Sequence, residues 1–568
     1  MKTVFISAII AIIFSVILLK PSSKKPVVAE LLVTNAFIYT SDPSLPFADS
    51  MAIKDGHILS IGNFSSLQAF EGPTTERLNL KGKVVVPGFV DAHLHLLSGG
   101  LQMARVKLYG VSTREEFIKK IEVEAKSKKE GAWVLGGGWS NNRWGGELPM
   151  TTWIDDITPH NPVWLSRMDG HMGFANSLAL KLAGISRDTK DPAGGTIMRT
   201  ADGEPTGLLI DAAMQLIHQF VPQPSIDERR EALLTASSYA LTKGVTTVVD
   251  LGRYFPGSST ELSWQDFTDI YSWAAKSGNM MIRVCVFFPI QTWSRLAELK
   301  KRTGDVVNQW LYLGGVKAYI DGSLGSNSAL FYEPYVNDPE TSGLQVMDLD
   351  SLTNMTIASD NSGLQVAIHA IGDRANDLIL DMYESVAHTN GIKDRRFRIE
   401  HAQHLAPDSS VRFGKQGVVA SVQPQHLLDD ANYAATKLGK ERAEKGSYLF
   451  HTLKKSHSLL AFGSDWPVAD LDPMNTLRAA VKRIPPTWEA PWIPSERVTF
   501  NDALDAHTIS AAFACHLDKN IGSLSPGKLA DFVVLSTNSW ESLEQEAFAS
   551  IEATYVGGIK AYSGKDVM

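Results

Sequence analysis

Cysteine is nearly absent from this 568-residue chain: only Cys285, in "RVCVFFP", and Cys515, in "AAFACHL", occur. Two cysteines form neither a disulfide framework nor a zinc knuckle, and the apolar surroundings of both favour buried packing. Long basic stretches are also missing. With a net charge of −8, this argues against nucleic acid as a partner. The short run "KSKKE" at 126–130 reads as a solvated helix face. No internal repeat or low-complexity segment occurs, so repeat arrays and compositional tails are set aside. What is present, 44% hydrophobic and 20% charged residues, is the composition of an ordinary globular protein. The length allows a large core and more than one domain.

One long apolar run stands apart. "VFISAIIAIIFSVILL" (4–19) follows Lys2 and precedes Lys20, Lys24 and Lys25. Signal-peptide apolar regions run ~7–15 residues and spanning helices ~20, so this segment falls between them. No small-x-small cleavage site follows. Residues 1–27 are therefore read as an uncleaved signal anchor, with a cleaved signal peptide as the second reading. Both imply a membrane partner or passage through the secretory system, in the endoplasmic reticulum membrane or lumen. The acceptor sequons "NFS" at Asn63 and "NMT" at Asn354 are compatible with lumenal exposure.

From about residue 28 the chain reads as short strands and turns, and this texture returns in "GKLADFVVLSTN" and "EATYVGGIKAYSG" near the end. Residues 28–86 and 509–568 are expected to form one small β-sandwich domain from both chain ends. Residues 87–508 alternate apolar strands with helical patterns. The strands are "VVVPGFVDAHLHL", "TTVVDL", "IRVCVFF", "YLGGVKAYIDG", "LQVAIHAIGD", "RFRIEHAQH", "VVASVQPQH" and "LLAFGSDWP". Near-continuous apolar strands spaced by helices indicate a parallel sheet covered on both faces. Eight βα units predict an α/β fold, a (β/α)8 TIM barrel whose site lies at the C-terminal strand ends. Residues 100–240 read as a subdomain inserted after barrel strand 1, over the barrel mouth. Trp139 and Trp144 either wall an apolar pocket there or pack the insert.

Polar residues gather at the strand ends. In "DAHLHL", His93 and His95 share one face, because residues i and i+2 of a strand do. Further along come Lys317, His369, His401 and Asp465. Each alone has an ordinary explanation: a solvent-facing lysine, a helix cap, a hydrogen-bonded core histidine. Together, at one predicted barrel rim, they form a nitrogen and oxygen donor set suited to a divalent metal.

At this point the sequence resembles the amidohydrolase superfamily, in the branch of N-substituted formamide deformylases and YtcJ-like proteins. The resemblance rests on "PGFVDAHLHL", "RMDGHMGFANSLAL", "GEPTGLL", "VKAYIDGSLGS", "AIHAIGDRAND", "RIEHAQHL", "SVQPQHLLDD", "GSDWPV" and "GSLSPGKLADFVVL". It implies zinc or a related divalent ion, one or two per chain, held by His93, His95, Lys317, His369, His401 and Asp465. It also implies that Lys317 is carboxylated by CO₂, because relatives carry such a lysine bridging two metals. Asp465 is the implied general base and acid. His171, Asn176, Gln423 and His426 are the implied substrate-binding residues, and Asp321 a supporting one. The expected activity is hydrolysis of a C–N bond, in an amide or N-formyl-type small molecule, by metal-activated hydroxide. A non-catalytic regulatory or scaffold protein on the same fold, and ester or lactone hydrolysis, stand as alternatives. Self-association into a homo-oligomer is left open.

Overall fold

The computed structural model describes residues 27–253 and 258–564. Eight parallel strands dominate it: β1 (Phe89–Leu94), β2 (Val245–Asp250), β3 (Arg283–Pro289), β4 (Leu311–Tyr319), β5 (Gln365–Ala370), β6 (Arg398–His401), β7 (Val419–Val422) and β8 (Leu460–Phe462). They pair in sequence order, each parallel to the next. The short strand Val306–Asn308 adds to β4 in the antiparallel sense. Most of these strands are buried along their whole length, as a sheet with helices outside and a filled interior requires. The fold is a nearly closed TIM barrel with accompanying sheets.

Closure between β8 and β1 is made just past the end of β8. Asp465 N–H donates to the His93 carbonyl at 2.7 Å, and His95 N–H donates to the Trp466 carbonyl at 2.8 Å. Gly463 permits that approach, because a Cβ there would stand 2.5 Å from the His93 nitrogen. The same contact that shuts the barrel thus sets Asp465 beside His93 and His95.

The opposite end is plugged. Val90, Val249, Cys285 and Ala461 from the strands form one apolar cluster with Ala512 and Cys515, from and just beyond the short helix Ile509–Phe513. Both cysteines are buried and free. The His507 carbonyl accepts from Val90 N–H at 2.9 Å, and Gln365 Nε2 donates to the Ala514 carbonyl at 2.9 Å.

Two further sheets flank the barrel. A four-stranded sheet comes from the N-terminal region alone. A six-stranded one joins Phe37–Tyr39, Phe47–Ala48 and Val84–Pro87 to Phe532–Leu535, Ile551–Val556 and Ile559–Ser563 near the C-terminus. A shared apolar core, including Val33, Ile53, Val85, Phe532 and Val534, fills the space between them. Arg283 on β3 anchors this body to the barrel through a buried two-pronged pair with Asp531, at 2.7 and 2.8 Å. Between β1 and β2, a third sheet runs from Val106–Lys107 to Pro205–Asp211. Trp139 is buried there among Phe117, Trp144 and Trp153, so these tryptophans pack the insert.

The membrane partner and the endoplasmic reticulum location require correction. No helix among the described residues is long and apolar enough to cross a membrane. The longest, Asp373–Asn390, has 18 residues and carries acidic and basic side chains on its exposed face. The apolar run at 4–19, on which both expectations rested, lies outside the described residues.

Removing one partner of a buried ion pair costs about 3–5 kcal/mol. Asp531→Ala is therefore expected to lose that much stability, seen in urea unfolding followed by tryptophan fluorescence. Asp531→Asn, which keeps one acceptor oxygen for Arg283, should fall in between.

Candidate functional site

The barrel's C-terminal rim gathers side chains far apart in sequence. His93 lies on β1, and His95 is the first residue beyond it, at the N-cap of the helix Leu96–Met103. Lys317 lies on β4, His369 on β5, and His401 ends β6. Asp465 follows β8. The rings of His93 and His401 are 4.8 Å apart, those of His369 and His401 4.5 Å, and those of His93 and His95 5.7 Å. His93, His401 and Asp465 each offer a ligand atom, all within 4.8 Å of one another. All six residues are buried.

Backbone geometry sharpens the aim. His401, Ala402 and Asp465 have φ of 76°, 42° and 57°, a left-handed conformation unusual for residues with a Cβ. Such residues cost of order 1–3 kcal/mol each and persist only where the surroundings enforce them. Here the enforcing contacts are the closure bonds at β8 and the partners of the imidazoles.

Those partners decide which ring nitrogen faces the centre. His93 Nδ1 lies 2.6 Å from a Glu400 oxygen, His95 Nδ1 2.6 Å from the Gly252 carbonyl, and His401 Nδ1 2.7 Å from Gln423 Oε1. The Gln423 amide is itself oriented, since its Nε2 donates to the Ser421 carbonyl at 3.2 Å. Acceptors at Nδ1 require N–H there, so Nε2 is the nitrogen that each of these rings presents to the centre. His369 is reversed: its Nε2 meets the Gly322 carbonyl at 3.0 Å, which leaves Nδ1 as its other ring nitrogen. Burial, reinforced by neighbouring cationic groups, drives His369 and His401 well below the usual histidine range, which keeps them neutral.

Asp465 Oδ1 lies 3.3 Å from Nε2 of both His93 and His95, and no hydrogen bond satisfies it. Two imidazole nitrogens beside a buried carboxylate oxygen make a donor set that suits a cation. Lys317 Nζ is likewise buried with no hydrogen-bond partner. Burial pushes its pKa down to about 8, against the pull of Glu400 and Asp465. The histidine nitrogens and the unmet Asp465 oxygen fit a divalent metal, whereas Lys317 does so only if its charge is removed.

Beneath His93 sits a pair that sequence reasoning missed. Glu400 accepts from Arg398 Nε at 2.7 Å and from Nη2 at 3.0 Å, and both side chains are completely buried. Burial alone would raise the Glu400 carboxyl, but the Arg398 guanidinium and His93 outweigh it and hold it well below the carboxylate range. The available signal was the alternation "RFRIEH", which places two charges on one face of a strand ending in a ligand histidine.

The rim opens into a pocket lined by His93, His95, Lys317, His369, His401 and Asp465 and by residues of the insert and later loops. His171 and His426 line it. His171 Nδ1 pairs with Asp211 at 2.5 Å and its ring stands 5.0 Å from His369. His426 Nε2 is 3.9 Å from Asp465 Oδ2. The other two expected substrate-binding residues are placed elsewhere. Gln423 holds His401 and does not line the cavity. Asn176 caps the helix Ser177–Leu182, accepting from Ala179 N–H and Val163 N–H at 3.0 Å each. Its motif signal was a local capping signal. Asp321 accepts from the N–H groups of Leu330, Ile371 and Gly372, bracing the turn after β5. His404 turns to Ser447 at 2.9 Å, away from the centre.

Barrel, rim donors and cavity together define a hydrolase of the metal-dependent class. The chain belongs to the amidohydrolase family, whose model matches residues 76–560. It is 65% identical over 536 residues to the Arabidopsis thaliana protein LONG AFTER FAR-RED 3, covering 94% of this chain and 92% of that one. It is 26% identical to the N-substituted formamide deformylase of Arthrobacter pascens, covering 94% of this chain and 98% of the other. Among solved structures, a metal-dependent hydrolase of Pyrococcus horikoshii OT3 is similar, with a TM-score of 0.70 and 28% identity over 89% of this chain and 97% of that one.

Losing a partner that orients a ligand histidine typically weakens metal binding about 10–100-fold. Gln423→Met, close in volume and leaving no buried charge unpaired, is expected to do so while the fold persists. Competition against a chelator measures it, with circular dichroism as the control.

Proposed function

We propose that this protein hydrolyses a C–N bond in a small amide or N-formyl-type molecule, using zinc held by His93, His95, His369, His401 and Asp465. The observation that supports this reading is the convergence of the Nε2 atoms of His93 and His95 on the unsatisfied oxygen of Asp465. Lys317 joins the set as a carbamate: a buried ammonium would repel a cation, whereas the carboxylated amine offers anionic oxygens that one ion, or two together, can use. When bound, the ion supplies Lewis acidity to the scissile carbonyl and lowers the pKa of water to about 7.

The chain's own residues do the rest. Asp465 takes the proton of the attacking water and passes it to the departing amine nitrogen. The partners on His93, His95 and His401 hold the rings still, so no reorganisation accompanies each turnover. His171, fixed by Asp211, and His426 face the same space and position the substrate. The name of the Arthrobacter relative describes action on N-substituted formamides, which favours C–N cleavage over ester or lactone hydrolysis.

The reading is tested on protein purified without chelator. Elemental analysis should find one or two divalent ions per chain, and His93→Ala should abolish the occupancy. Asp465→Asn should keep metal yet lose about 10²–10⁴-fold in turnover of the best substrate from a panel of N-formyl, N-acyl and cyclic amides. A metal-free protein would instead favour the scaffold reading, and an unchanged rate in Asp465→Asn would reject the proton transfer.

A further inference from the structure

Arg167 ends a strand of the insert, Val163–Arg167, and is 2% exposed. Its Nε donates to Asn141 Oδ1 at 3.1 Å and its Nη1 to Asp169 Oδ2 at 2.7 Å. Its Nη2 is buried and has no hydrogen-bond partner. A charged donor left unmet at this depth is costly and marks a position where a partner is missing. The guanidinium lies against Gly325: a Cβ on that residue would stand 2.3 Å from Nη1 and 3.0 Å from Nη2. Arg167 and Gly325 both line the cavity that holds His93, His401 and Asp465. Glycine at 325 therefore leaves the room that brings this guanidinium to the wall. The nearby Lys437 is satisfied, donating to Asn327 Oδ1 at 2.6 Å and to the Gly325 carbonyl at 3.1 Å.

We propose that Arg167 Nη2 is a recognition donor for an uncharged oxygen, a carbonyl or amide, on the part of the substrate beyond the scissile bond. The inference rests on the reading that this cavity is the active site of a metal-dependent amide hydrolase. Charge selects the class of acceptor. Asp169 already neutralises the guanidinium and is itself fixed by Ser323 Oγ at 2.5 Å. Asp429 also lines the wall, 3.5 Å from Arg143. A carboxylate entering here would meet two acidic side chains; a neutral oxygen would meet an oriented N–H.

Isothermal titration of the metal-loaded protein with hydroxamates tests this. Acetohydroxamate probes the metal alone. A series of hydroxamates carrying a terminal primary amide, with two to four methylenes between, adds the neutral acceptor, and the matching terminal carboxylates add the charged one. The wild type should bind the best amide probe about tenfold more tightly than acetohydroxamate, as one hydrogen bond from a charged donor implies. Arg167→Met should erase that gain and leave acetohydroxamate affinity unchanged. Gly325→Ala, which displaces the guanidinium from another segment, should do the same and carries the test if Arg167→Met does not fold. A gain that survives both substitutions, or a carboxylate probe that binds more tightly than its amide counterpart, overturns the proposal. Absence of acetohydroxamate binding to the wild type overturns the underlying metal-site reading, and the inference falls with it.

Discussion

The pairing of Arg398 with Glu400 is the constraint on which the rest of the site depends. Two opposite charges completely out of water are tolerable only when nearly every donor and acceptor is met. The guanidinium meets the carboxylate twice, and also donates to the Ala92 carbonyl at 2.7 Å and to Ser421 Oγ at 3.0 Å. It therefore ties β6 to β1 and β7 inside the barrel. Glu400 spends its remaining capacity on His93. A small movement of this pair would shift the His93 ring and the strand that bears it together.

The walls have a different origin from the floor. The donors that suit a metal come from barrel strands or the residues just past them, whose spacing is fixed by the hydrogen-bonded ladder. The residues facing them across the cavity, Arg167, Asp169, His171, Gly325 and Asp429, come from the insert and from loops. This division lets one rim chemistry serve different substrates as the walls change.

Much of the barrel was legible because its physics is local and repetitive. Continuous apolar strands separated by helices announce a doubly covered parallel sheet, and the histidines stand where such a sheet ends. Asp465 was readable as one more polar residue at a strand end, in "GSDWPV", but its distance from His93 and His95 depends on Gly463 and a strand closure that no periodicity reveals. Arg398 and Glu400 went unremarked in "RFRIEH", since nothing local says that the interior of the barrel holds them. Asn176 misled for the opposite reason: a polar residue inside a motif proved to serve a helix end. Arg167 stood unremarked at the head of "RMDGHMGFANSLAL", because only the folded structure shows a donor on it without a matched acceptor. The apolar run at the N-terminus was read from its length, its flanking lysines and the lack of a cleavage site, all of which lie outside the described residues.

The sealed lower end of the barrel has a consequence for traffic. Ala512, Cys515 and the backbone contacts around His507 and Ala514 stopper one end of the chamber. With that end stoppered, a molecule reaching His93, His401 and Asp465 comes from the side of the insert and the strand-end loops. Traffic to those donors therefore passes the side chains of the insert, and a change in that wall alters access from the one direction the stopper leaves.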